Sequence, residues 1–91
     1  MSEMRLDKFL KVSRIIKRRT VAKEACDGGR VKVNGRVSKP GKYIGEGDEL
    51  EITFGNRVLR VEVLECRSHV PAKESSELYE VLEERYIDDL R

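Results

Sequence analysis

The hydrophobic period of this chain changes at Gly28-Gly29. Before that pair, apolar residues recur at helical spacing. After it, they alternate with polar ones. A chain that switches from one period to the other must bury helix stripes against one face of a sheet. Over Arg5–Ser13, the residues Leu6, Phe9, Leu10 and Ser13 share one helical face. Over Arg19–Asp27, Val21, Ala22, Ala25 and Cys26 form a second, small-residue face. A helical Arg18 would point into that face, so the second helix starts after it. Gly28-Gly29 stops it, because glycine supplies the left-handed backbone of a C-cap. Small residues let the two helices pack closely, and Cys26 reads as a small buried hydrophobe.

Beyond Gly29, Arg30–Val33 alternates as a half-buried strand does, and Asn34-Gly35 is a tight-turn pair. Arg36–Lys39 reads as the return strand, broken by Pro40-Gly41. Gly45–Asp48 is a second turn. Glu49–Phe54 and Val58–Leu64 alternate on either side of Gly55-Asn56. Residues 68–73 read as a linker, and Glu74–Arg85 as a third helix. Ser75 or Ser76 would cap that helix, Glu77 and Glu80 suit the positive end of its dipole, and Leu78, Val81 and Leu82 form a narrow apolar stripe. Residues 87–91 read as a frayed end. The expected fold class is α+β: two packed N-terminal helices on a small twisted, mainly antiparallel sheet, with a C-terminal helix. Residues 4–67 would form the domain with its following strand, and 68–91 a linker and acidic helix.

Several function classes fall away. A chain of 91 residues fits one domain and has little core to spare for a deep catalytic pocket. No apolar run approaches the ~20 residues of a membrane span, and Met1–Arg5 lacks the apolar stretch of a signal peptide. Cys26 and Cys66 have neither metal nor redox spacing. The expectation is a soluble cytoplasmic protein with reduced thiols. His69, the one histidine, sits beside a proline context in the linker and reads as solvent-exposed. Phosphate-loop and dinucleotide fingerprints are missing. Glu83-Glu84 and Asp88-Asp89 read as a solvated face rather than metal ligands. No catalytic residue, metal or cofactor is expected, and the chain is not read as an enzyme.

The net charge of +2 conceals a split. Residues 1–42 hold thirteen Lys/Arg against four Asp/Glu, a charge of +9, and residues 43–91 hold six against thirteen, a charge of −7. Such polarity points to a polyanion partner for the first half. A membrane is disfavoured, because no strongly amphipathic aromatic-rich helix is present to insert. Arg5, Lys8, Lys11, Arg14, Lys17, Arg18, Arg19 and Lys23 would lie on the free faces of the two helices and their connection and read as phosphate contacts. Phe9 falls on the core face and Phe54 alternates with core positions, so no aromatic stacking platform is expected. That favours backbone and shape recognition of folded RNA.

The order of motifs is more specific. Arg5-Leu6-Asp7-Lys8-Phe9-Leu10, Arg19-Thr20-Val21-Ala22, Gly29-Arg30-Val31-Lys32-Val33-Asn34-Gly35 and Gly47-Asp48-Glu49-Leu50-Glu51-Ile52 together resemble the S-four RNA-binding domain over residues 5–54. The resemblance implies an alpha-L-like motif, with RNA on the helical face. Arg5 and Arg19 match the RNA-contacting arginines of that family. Asp7 matches its acidic position, read here as an ion-pair partner orienting Arg5 or Arg19. Arg18 departs from the pattern, standing where many members have Ser, so a helix cap is lost or replaced and a charge gained.

The run from Met4 to Glu24 further resembles the RqcP group of small stand-alone bacterial proteins, relatives of the small ribosome-binding heat-shock protein. That likeness implies a monomeric ribosome-associated quality control factor. Its partners would be ribosomal RNA of the large subunit, the P-site peptidyl-tRNA and the elongation factor RqcH, which carries out alanine tailing of stalled chains. The competing readings are a heat-shock-type recycling factor on the same particle and a protein adaptor acting through the acidic tail. An RNA-modifying enzyme would need a catalytic domain that this sequence does not contain.

Overall fold

The computed structural model describes residues 3–87. Of the expected frayed end, residues 88–91, with Asp88-Asp89, lie outside the described residues, while Ile87 is tied down, its N donating to Asn56 O at 2.6 Å. Strand β1 (Glu3–Arg5) runs directly into helix α1 (Leu6–Val12), and a short connection leads to α2 (Arg19–Asp27). Strands β2 (Val31–Val33), β3 (Arg36–Val37), β4 (Tyr43–Gly45), β5 (Glu49–Phe54) and β6 (Arg57–Val63) follow. A 3-10 segment, Ala72–Leu78, then precedes β7 (Tyr79–Tyr86). The expected α+β class is the one observed, with α2 starting at Arg19 as its apolar spacing requires.

β2, β3, β5, β6 and β7 form one antiparallel sheet in the order β3-β2-β5-β6-β7, and β1 pairs with β4 in a separate two-stranded ribbon. Alternation decides what each strand buries. Val31, Val33, Leu50, Ile52, Val61 and Val63 point into the core, where Leu6, Phe9 and Leu10 of α1 and Ala22, Ala25 and Cys26 of α2 meet them. Removing each large side chain of this set from water stabilises the fold by about 1.5–3 kcal/mol. Burial pushes the Cys26 thiol up to about 11, with Asp7 and Asp27 adding to the shift, which fits a small packed residue rather than a nucleophile. Val21 departs from the expected apolar face: it is exposed, at the edge of a groove with Ile15, Ala25 and Phe54. Asn34 and Gly35 have φ of 51° and 86°, the left-handed pair that joins two strands in a tight turn.

The C-terminal expectation needs correction. A single 3-10 stretch, Ala72–Leu78, stands where the third helix would begin, and Tyr79–Tyr86 is a strand. β7 pairs with β6 from Arg57↔Tyr86 to Val63↔Tyr79, with a register shift that leaves Leu82 unpaired opposite the Arg60-Val61 step. Local helix propensity loses here to the open hydrogen-bonding edge of β6. It also loses to cross-strand charge: Arg57 Nη1 donates to Glu84 Oε2 at 3.0 Å, and Arg60 Nε to Glu83 Oε1 at 3.4 Å. Leu78, at the join, is fully buried. β1 and β4 were not expected, because each buries a single residue, Met4 and Ile44, and one buried position shows no alternation. Gly45 both ends β4 and opens the expected turn, in which Asp48 N donates to Gly45 O at 3.1 Å, and the return strand after Asn34-Gly35 is only Arg36–Val37.

Candidate nucleic-acid interface

The first helix is fixed at its entry by a loop from later in the chain. Leu6 N donates to Lys42 O at 2.8 Å, and Asp7 N to Pro40 O at 3.1 Å. Asp7 therefore sits in the first turn of α1 with its side chain only 4% exposed. Arg5, the last residue of β1, and Arg19, the first of α2, converge on it. Arg5 donates from Nε to Oδ1 at 3.2 Å and from Nη2 to Oδ2 at 3.3 Å. Arg19 donates from Nη2 to Oδ1 at 3.4 Å, and its Nε lies 3.4 Å from Oδ2. Burial alone would raise the carboxyl pKa, but the hydrogen bonds and charges of Arg5 and Arg19 outweigh it and hold the group below the ordinary carboxylate range. Asp7 is thus ionised and pairs with both arginines, where the sequence offered one or the other.

The two guanidiniums are not consumed by this contact. Each carries five N–H donors in a fixed fork, and the Arg5 and Arg19 side chains remain 43% and 47% exposed. One carboxylate against two guanidiniums leaves an excess positive charge on two side chains that are nearly half exposed. That arrangement suits a bidentate grip on phosphate oxygens.

Lys8 borders the groove that Arg5 and Arg19 line, and Lys23 borders an adjoining one with Arg5, Asp7, Arg19 and Thr20. The structure therefore brings Arg5, Asp7, Lys8, Arg19 and Lys23 together. Lys11, Arg14, Lys17 and Arg18 are exposed and line neither of these two grooves; Lys17 borders a different, largely apolar one with Ile15 and Phe54. Arg14 has φ of 63°, a left-handed backbone where α1 ends and the chain turns towards α2. Arg18 is the residue preceding α2 and makes no side-chain capping hydrogen bond, so the cap is lost there and not replaced.

One residue of this surface escaped the sequence reading. Tyr43 is 59% exposed and lines the same groove as Arg5, Lys8 and Arg19. It pairs with Arg5 in the β1–β4 register. The available signal was its neighbour: once Ile44 is assigned to the core, period-two geometry turns Tyr43 outward.

Among the described residues there is no group of three or more His, Cys, Asp or Glu placed to hold a metal, and no helix is long and apolar enough to cross a membrane.

Residues 4–50, which contain the paired arginines and the Asn34-Gly35 turn, match the S4 domain, and the chain belongs to that family. Its likeness to particular members extends much further. It is 56% identical over 84 residues to the RQC P-site tRNA stabilizing factor of Halalkalibacterium halodurans, covering 92% of this chain and 96% of the relative. It is 49% identical to the protein of that name from Streptococcus pneumoniae, covering 94% and 98%. The heat shock protein 15 of Escherichia coli is 39% identical over 86% of this chain and 59% of its own length. Among solved structures, the trimeric heat shock protein 15 of Vibrio cholerae superposes with a TM-score of 0.82 at 30% identity, covering 88% of this chain and 82% of that one.

Proposed function

We propose that this chain is a non-catalytic, cytoplasmic, monomeric RNA-binding factor of ribosome-associated quality control. In this reading it binds the large ribosomal subunit that carries a P-site peptidyl-tRNA, contacts both ribosomal RNA and tRNA, and supports RqcH-dependent alanine tailing of the stalled chain. The observation that carries the proposal is the buried Asp7 holding Arg5 and Arg19 while both arginine side chains stay nearly half exposed. The relatives named as RQC P-site tRNA stabilizing factors support the setting.

The mechanism is positional. Arg5 and Arg19, pre-oriented by Asp7, lose little side-chain freedom when they meet phosphate. Lys8 and Lys23 add charge beside them, and Lys11, Arg14, Lys17 and Arg18 extend the contact along the backbone. Two helices seated in this way bridge ribosomal RNA and tRNA and hold the tRNA in place while the tailing factor acts.

The test is reconstitution on isolated large subunits carrying peptidyl-tRNA, with RqcH and alanyl-tRNA. Adding the protein should raise alanine addition, R19E should not, and the protein without RqcH should add none. Tailing by the protein alone, or tailing by R19E at the wild-type level, would contradict the proposal.

A recycling role on the same particle is the second reading, favoured by the superposition on a heat shock protein 15. It predicts binding to the subunit without any rise in alanine addition. The adaptor reading finds less support, because Glu83 and Glu84 of the acidic tail are already engaged by Arg60 and Arg57.

A further inference from the structure

We propose that Tyr43 is a stacking platform for one unpaired nucleotide, and that the groove between β1, β4 and the two helices takes that nucleotide by its base and its phosphate together. The inference rests on the RNA-binding reading and deepens it, because the cation cluster alone would grip duplex and unpaired RNA alike.

Three observations converge on this groove. Its lining includes Arg5, Lys8 and Arg19 together with Tyr43, Glu3 and Ser68. Tyr43 is well exposed although its neighbour Ile44 is buried, so the groove has an aromatic side chain that the core does not use. Its position is also rigid. β4 is paired to β1 at Glu3↔Gly45, Met4↔Ile44 and Arg5↔Tyr43, and Lys42 O accepts from Leu6 N at 2.8 Å. The backbone that presents the ring is therefore already ordered, and binding has only the two side-chain torsions of Tyr43 left to fix.

The chemistry along the groove is uneven. Arg5, Lys8 and Arg19 favour a phosphate. Glu3 repels a phosphate but accepts hydrogen bonds, and Ser68 both donates and accepts, so these two suit the polar edge of a base. An aromatic face lining the same groove accepts any base by stacking. The ligand class is therefore a nucleotide splayed out of a folded RNA, with its phosphate towards the arginines and its base on Tyr43. A paired nucleotide cannot present its face to a side chain in this way.

The experiment compares the full chain and three variants, Y43F, Y43L and R19E, on two blunt-ended RNA duplexes that differ only by a single-nucleotide bulge. Wild type and Y43F should prefer the bulged duplex. Y43L should lose about tenfold in affinity for it and bind the fully paired duplex as wild type does, while R19E should weaken on both. In parallel, Y43W introduces the sole tryptophan of the chain, and its fluorescence should be quenched by the bulged duplex and not by the paired one. Equal binding of both duplexes by wild type and Y43L overturns the stacking proposal and leaves the RNA-binding reading standing. Failure of wild type to bind either duplex overturns both.

Discussion

The Asp7 carboxylate in α1 and the Arg19 guanidinium at the start of α2 face each other twice, Oδ1 to Nη2 and Oδ2 to Nε, each at 3.4 Å. Arg5 meets the same two oxygens. A single buried acid therefore sets the direction of two arginines that arrive from different elements. Replacing Asp7 with Asn keeps the shape and removes the charge. The two guanidiniums then repel each other and lose their common anchor. We expect D7N to destabilise the fold by about 1–2 kcal/mol, less than for a fully buried pair because both arginines are nearly half exposed. RNA affinity should fall although the net charge rises by one. A urea titration and an RNA-binding isotherm check the two effects separately. A gain in affinity would show that charge, and not orientation, governs binding.

Acid should expose the same contact. The Asp7 pKa is lowered in the folded protein from an ordinary value of 3.8. A group depressed in this way contributes stability that is fully present above its unfolded pKa and lost as pH falls through its folded pKa. The difference in stability between wild type and D7N should stay constant from pH 7 down to about 5, then shrink below about 4. Urea midpoints of both proteins across that range measure it. A difference that persists at pH 2 would place the stabilisation elsewhere.

Arg14 separates stability from binding. Its φ of 63° is a conformation that glycine adopts without penalty and arginine does not. R14G should leave the fold intact and raise its stability by up to about 1 kcal/mol, since relief of backbone strain exceeds the extra chain entropy of glycine. If Arg14 touches phosphate, the same change should reduce the slope of log affinity against log salt by about 0.7–0.9. Thermal unfolding and a salt titration of RNA binding read the two effects.

The C-terminal segment is tested at Leu78. This residue is fully buried, and its carbonyl accepts from Leu64 N at 2.8 Å. L78A should cost about 2–4 kcal/mol by leaving a cavity under β7. A loosely attached tail would show almost no cost in chemical denaturation.

Much of this molecule was legible before any coordinates, for identifiable reasons. Helical spacing in Leu6, Phe9 and Leu10, alternation in Glu49–Phe54, and the Asn34-Gly35 turn are local signals, and the fold uses each locally. Tyr79–Tyr86 failed because its Glu-rich composition, with Leu82 and Arg85, favours helix, while the edge of β6 decides the outcome. Such an edge is a property of the assembled sheet and has no local signature. The Asp7 pairing was visible as a choice between Arg5 and Arg19, and the structure shows that the carboxylate serves both. Tyr43 was missed because the ribbon that presents it is only three residues long on each side.

The central claim is that the Asp7-oriented arginines seat this chain on a large ribosomal subunit that retains tRNA. Sedimentation of the tagged protein through a gradient of cell lysate, with R19E beside it, tests that claim directly. The account predicts migration of the wild type with tRNA-bearing large subunits and of R19E at the top of the gradient. Migration of both proteins at the top, or of both with the large subunits, would contradict it.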